Sequence, residues 1–277
     1  MQSMLEAHRE DPSSCPAPNS VSYNCVLHAW SRSSSDSAVE RAESILQFMI
    51  KSGDENISPD TYSFTSVLNA LAKSKQPNKA ARAREYLDTM LQMHAKTKHN
   101  ALSPTQVPFN AVLNAAAFSA LGTPEEEQRA ALKIAVETFS LMKRLSIHPD
   151  MISYGNMLKV VANLIPKGKT RTEMGLQLFR TCCQDGLVGD LVWNEARRAL
   201  PPKVLSELFR SPKPLAATQV RDLPVAWSRN LPKERRNAPK PRQKTPQKPD
   251  PVEQKRKEPL RRFRNISEQS YQSGRDI

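Results

Sequence analysis

No stretch of the 277-residue chain approaches the roughly 18 to 20 uninterrupted apolar residues that a spanning helix requires. With 38% apolar residues and a mean hydropathy of −0.59, the sequence predicts no membrane insertion. Cysteine is scarce: Cys15, Cys25, Cys182 and Cys183 form no C-x-x-C pair, and no secretory apolar core opens the chain. A disulfide scaffold and a zinc site are therefore unsupported, and a reducing compartment is expected.

The signatures of catalysis are missing too. Gly168-Lys169-Thr170 has the end of a phosphate-binding loop, but Asn163 stands where its first glycine belongs. His8-Arg9-Glu10 fits half of a zinc-deaminase motif, and no Pro-Cys-x-x-Cys follows it. The five histidines show no metal-ligand spacing. The expectation is a protein without enzymatic turnover, metal, cofactor or small-molecule substrate.

What is present is unevenly distributed charge. Of a net +13, residues 211–277 supply +10, from 17 Lys and Arg against 7 Asp and Glu; they also hold 10 of the 22 prolines. Such a segment buries too little apolar surface to offset its ordering entropy, so 211–277 is expected to be a disordered basic tail. Its clusters Arg235-Arg236, Lys255-Arg256-Lys257 and Arg261-Arg262-Phe263-Arg264 suit phosphate contacts with counterion release, or else a merely solvated tail.

The body repeats. NSVSYNCVLHAW from Asn19, DTYSFTSVLNAL from Asp60, TQVPFNAVLNAA from Thr105 and DMISYGNMLKVV from Asp150 align without gaps. A proline precedes each segment (Pro18, Pro59, Pro104, Pro149), and an aromatic (Tyr23, Phe64, Phe109, Tyr154) and a leucine (Leu27, Leu68, Leu113, Leu158) recur within it. The aromatics are spaced 41, 45 and 45 residues apart, a period that signals stacked repeats.

Within each unit the apolar period is helical. Val21, Val26, Leu27 and Trp30 form one stripe; after a Ser-rich break, Val39, Ala42, Ile45, Leu46 and Met49 form a second. Each repeat is thus a helix pair, too thin to bury its own face and stable only when stacked. Gly122 reads as a helix stop, and Thr123-Pro124-Glu125-Glu126 as the capped start of the next helix. The predicted organisation is a partial preceding repeat (1–18), repeats over 19–60, 61–105, 106–150 and 151–190, capping helices over 191–210, and the tail. Because 1–18 looks like a second helix, a further repeat is expected upstream.

SVSYNCVL, TFSLMKRLSIHPD and LQLFRTCCQDGLVGD resemble the pentatricopeptide repeat, a V-T-Y-N-T-L-I helix start, an L-F-x-x-M second helix and a closing P-D. The resemblance covers about residues 19 to 190. These units are longer than the family's: Met49 to Pro59 spans 10 residues and Met90 to Pro104 spans 14, which places the insertions around the turns. The W-x-x-L-G-x-x-Y pattern of tetratricopeptide repeats is absent.

The resemblance implies an all-α, right-handed α-solenoid of stacked helix-turn-helix repeats that binds single-stranded RNA, one base per repeat. It implies base-reading pairs Asn24 with Asp60, Thr65 with Thr105, Asn110 with Asp150, and Gly155 with Asp190, the last lacking a reading side chain. By the family's code this favours uracil, a purine, uracil, then any base. Val21, Tyr62, Val107 and Ile152 fall in its base-sandwiching column. Read as residues alone, these four could instead be buried apolar positions at helix starts, and the Asn and Thr readers could be helix caps or a solvated polar face.

The implied role is an adaptor in organellar RNA processing, stability or translation, in a mitochondrion or plastid, with nucleus or cytoplasm as the alternative. Glu6, Glu10 and Asp11 do not suit a transit peptide. A helical scaffold for RNA-processing or ribosomal proteins is the competing function.

Overall fold

A computed structural model describes Asp11 and residues 17–119, 123–209 and 214–232. Every regular element among these residues is helical. Four consecutive pairs comprise α1 (Ser20–Arg32) with α2 (Ala38–Ser52), α3 (Thr61–Lys73) with α4 (Lys79–Thr97), α5 (Gln106–Ala117) with α6 (Glu125–Arg144), and α7 (Met151–Leu164) with α8 (Lys169–Asp185). Then come α9 (Asp190–Ala199) and the short α10 (Pro202–Leu208). No described helix is long and apolar enough to cross a membrane. Most of the expected partial helix over 1–18, the Gly122 stop and the tail from 233 onward lie outside the described residues.

The first helix of a pair starts where the sequence repeats itself. Asn19, Asp60 and Asp150 adopt extended backbone and accept from the N–H three residues ahead, at Ser22, Ser63 and Ser153. At Asp60 and Asp150 the serine hydroxyl accepts in return from the cap's own N–H, closing a capping box. Thr105 holds the same place before α5 without a side-chain bond, because the residue three ahead is Pro108, which has no N–H. The predicted capped start at Thr123 does not form. Pro124 is the N-cap of α6, and the Thr123 hydroxyl donates backwards to the Ser119 carbonyl, leaving Glu125, Glu126 and Glu127 to balance the helix dipole.

The repeated apolar columns are the core. Tyr23, Phe64, Phe109 and Tyr154 are at most 4% exposed, and Leu27, Leu68, Leu113 and Leu158 are all at 0%. Met49, Met90, Met142 and Cys182 are equally buried on the second helices. Val21 departs from the stripe assigned to it: it is solvent-facing, because Tyr23, roughly 200° further round the helix, takes the inward position.

Each first helix packs on its own partner and on the next first helix, α1 on α3, α3 on α5, α5 on α7 and α7 on α9. Two buried clusters result, one running from Tyr23 to Met142 and the other from Ala80 to Leu223, and Ile134 of α6 packs against both. The segment expected to cap the stack, 191–210, does more than that. Its helix α9 takes the place of a fifth first helix, with buried Trp193 continuing the aromatic column 39 residues after Tyr154.

The extra residues of the long units are partly turns and partly helix. After α2 and α4, the 3-10 turns Glu55–Ile57 and Asn100–Leu102 are anchored by buried Ile57 and Leu102. In the second unit α4 itself also extends to Thr97, beyond where an insertion confined to the turn would end it.

Residues 214–232 correct the proposed start of the tail at Ser211. They run back along the end of α8, whose last carbonyls have no partner within the helix. Arg229 donates to the Gln184 carbonyl (2.6 Å), the Asn230 amide to Asp185 (2.8 Å), and the Asn230 backbone N–H to Gly186 (3.0 Å). Val188 N–H donates to Trp227 at 2.8 Å, and Trp193 Nε1 to the Thr218 carbonyl at 3.0 Å. The Trp227 ring meets Phe179 and Phe209 edge-on at 5.6 and 5.7 Å. Averaged over a Pro- and Lys-rich stretch these anchors vanish from the composition, although Trp227, Leu223 and Leu231 suffice to fix this part locally.

Truncation after Pro232 is expected to leave the thermal midpoint unchanged, while truncation after Phe209 lowers it by several degrees, at roughly 2–4 °C per kcal/mol for a domain of this size. Thermal unfolding of both truncations checks this, and equal midpoints would show that the strap contributes nothing.

Candidate nucleic-acid interface

The predicted reading positions all fall on the fifth residue of their first helix: Asn24 on α1, Thr65 on α3, Asn110 on α5 and Gly155 on α7. Successive first helices pack side by side, so the positions form one row. Asn24, Thr65 and Asn110 are 7–9% exposed, and the N-caps are Asn19, Asp60 and Thr105 instead. The three are therefore neither helix caps nor a solvated polar face.

Two of the predicted pairs meet directly. Asn24 Nδ2 donates to Asp60 Oδ2 at 3.0 Å, and Asn110 Nδ2 to Asp150 Oδ1 at 3.1 Å. Each carboxylate is also the N-cap of the following first helix, so one side chain starts a helix and holds its predecessor's asparagine. Asn156 Nδ2 adds a 3.0 Å bond to the Asn110 carbonyl, fixing the backbone beneath it.

The other two pairs do not meet. The Thr65 hydroxyl donates at 2.7 Å to the Thr61 carbonyl of its own helix, and Thr105 forms no side-chain bond to it. Gly155 serves packing: a Cβ built there would lie 2.6 Å from Leu191 Cγ, so glycine admits α9 against α7. Asp190 is the first residue of α9, one place after the N-cap Gly189, and is not in register with Asp60 and Asp150.

The flanking apolar column faces outward. Val21, Tyr62 and Val107 are 64%, 49% and 55% exposed, and Ile152 is half-buried. This disposes of the buried alternative for the first three. The Tyr62 ring lies against His28 with centroids 5.8 Å apart. Between α3, α5 and α7 these rows enclose an open groove of about 300 Å3, lined among others by Thr65, Val107, Asn110, Asn114, Asp150 and Ile152. Beyond the row, the first helices carry Arg32, Lys73, Lys159 and Arg198. Lys73 donates to the Ser31 carbonyl at 2.8 Å, and Lys159 stands 5.0 Å from the Phe118 ring centroid.

Sequence reasoning missed three features. Ser63 and Ser153 contact Asn24 and Asn110, a role signalled only by the repeated D-x-x-S. Asn194 of α9 falls in the reading column five residues after Gly189, and its Oδ1 accepts from Arg197 at 2.6 Å. The signal was Trp193, hidden in a polar run. The tail residues Arg235, Arg236, Lys255, Arg256, Lys257, Arg261, Arg262 and Arg264 lie outside the described residues.

No protein-family model matches the chain, and no characterised protein matches it at significant similarity.

Among the described residues no His, Cys, Asp and Glu cluster could hold a metal ion, and Cys25, Cys182 and Cys183 are free thiols. Burial pushes the Cys182 and Cys183 thiols up, the latter to about 12, whereas Cys25 is exposed. Because the thiolate is the reactive form, iodoacetamide at pH 8 is expected to alkylate Cys25 in the native protein and to spare Cys182 and Cys183 until unfolding. Peptide mass mapping checks it; rapid native labelling of half-buried Cys183 would contradict its raised thiol.

Proposed function

We propose that the chain is an RNA-binding adaptor of the pentatricopeptide kind, a right-handed α-solenoid whose first helices receive a short single-stranded segment. The carrying observation is the pair of Asn–Asp contacts on one row, beside a column of exposed apolar side chains. An asparagine amide can pair a donor and an acceptor with a base edge, and a carboxylate holding its nitrogen sets which side is which. Tyr62 and Val107, exposed beside that row, serve in this reading as the surfaces on which bases stack.

Arg32, Lys159 and Arg198, with the basic clusters of the tail, then supply phosphate contacts that strengthen binding without adding sequence information. The action is steric, with no turnover: occupancy of a short segment alters its processing, stability or translation. A mitochondrial or plastid setting belongs to the same reading, through the resemblance of the repeats.

A protein-binding scaffold is the second reading, favoured by Phe48 of α2, an aromatic 49% exposed away from the reading row. Under it, association with ribonucleoprotein survives nuclease and is lost in Phe48→Ser.

The deciding measurement is selection from a randomised single-stranded RNA pool at low and physiological salt. Uracil-containing sites are expected to be enriched, with Asn110→Ala erasing the bias at one position. Tyr62→Ala should weaken binding roughly 5- to 150-fold, the span of 1–3 kcal/mol per stacked base. Truncation after Pro232 should weaken binding and reduce its salt dependence while leaving the base preference unchanged. Binding that is unbiased and disappears with the tail would overturn the reading.

A further inference from the structure

The two asparagines held by carboxylates are held a second time, by a residue of the next repeat. Ser63 Oγ donates to Asn24 Oδ1 at 2.6 Å, and Ser153 Oγ to Asn110 Oδ1 at 2.7 Å. Both serines are fully buried. Each hydroxyl accepts from the N–H of its own N-cap, Asp60 (3.1 Å) or Asp150 (3.2 Å), which leaves its hydrogen to point back at the asparagine or at the same carboxylate. With that hydrogen on the asparagine, the shorter of the two contacts in each case, the amide is gripped at both heteroatoms, nitrogen by the aspartate and oxygen by the serine. Of its two N–H groups and two oxygen lone pairs, one of each is committed. One of each remains, in a fixed order.

Where the serine is missing, so is the grip. The corresponding residue ahead of Thr65 is Pro108, which has no hydroxyl, and Thr65 turns to its own helix. Ahead of Gly155 it is Val192.

We propose that Ser63 and Ser153 are positioning residues that set base discrimination in the repeat before their own, so that the chain discriminates at its first and third positions and tolerates any base at the second and fourth. This rests on the RNA-binding reading above and replaces the uracil, purine, uracil, any-base preference with two discriminating positions separated by one indifferent nucleotide. Recognition at a repeat is then completed only by the cap of the following one.

The test combines selection from the randomised RNA pool with NMR of the asparagine side-chain amides. Ser153→Ala keeps the residue-153 N–H that donates to the capping carboxylate of Asp150, so the helix start survives. It is expected to reduce base discrimination about fivefold, the worth of one neutral hydrogen bond, at the position that Asn110→Ala also flattens and nowhere else. Ser153→Thr should restore it. In the RNA-free protein, Ser153→Ala should speed rotation and solvent exchange of the Asn110 Nδ2 protons and leave those of Asn24 unchanged.

A gain of function guards against a variant that merely folds poorly. Thr65→Asn with Thr105→Asp should acquire little preference at the second position, and adding Pro108→Ser should create one. Unchanged discrimination and unchanged Asn110 amide exchange in Ser153→Ala would overturn the positioning role while Asn110→Ala still erased the bias. A uniform loss at all positions would reduce the serine to a stabilising cap. If the intact protein shows no base preference, the RNA-binding reading itself falls; the amide exchange then still reports whether the serine grip exists.

Discussion

The packing of each first helix on the next is the constraint from which the rest of the structure follows. It is accompanied by a large buried ring, fixed in phase, at one turn of five helices, Tyr23, Phe64, Phe109, Tyr154 and Trp193, three of which lie against an aromatic of a second helix. With the aromatic turned inward, the residue after it falls at the seam between helices and the residue two before it is forced outward. The rows of half-hidden polar groups and exposed apolar groups are therefore by-products of burying one ring per repeat. The second helices close the other side, and their length varies freely because it does not alter the spacing of the first.

The same economy operates at the helix starts. A carboxylate that only capped a helix would stabilise it by about 1 kcal/mol. Asp60 and Asp150 do that and also reach the preceding unit, which couples neighbours through polar bonds as well as through the core. Where proline replaces the serine, at Pro108, both functions lapse together, since one N–H and one hydroxyl are lost in a single substitution. Repeats that look equivalent in their apolar columns are consequently inequivalent in their polar ones.

This division explains what could be read in advance. Periodic apolar residues report directly on burial, so the helix pairs, their order and the buried aromatic, leucine and methionine columns were legible. The meeting of Asn24 with Asp60 and of Asn110 with Asp150 was legible too, through a resemblance rather than through physics. Val21 was misread because a stripe drawn at helical period does not say which edge of it faces the neighbour. The serine contacts were invisible because a capping box explains a D-x-x-S pattern completely within one helix; only the placement of the next helix reveals its second partner. The strap over 214–232 was lost because composition averages over a window, whereas anchoring depends on a few side chains meeting particular carbonyls.

The strap also gives the row a direction. Asn24, Thr65, Asn110 and Gly155 are each followed by another first helix, but beyond α9 residues 214–232 fold back over α8, and among the described residues no carboxylate is bonded to Asn194. Arg197 holds its oxygen instead, so the amide there keeps both its N–H groups beside a guanidinium. The last place in the row is donor-rich and cationic where Asn24 and Asn110 balance donor with acceptor. The row of polar side chains is therefore uneven along its length, ending on an exposed amide whose oxygen is held by a guanidinium rather than on a buried one whose nitrogen is held by a carboxylate.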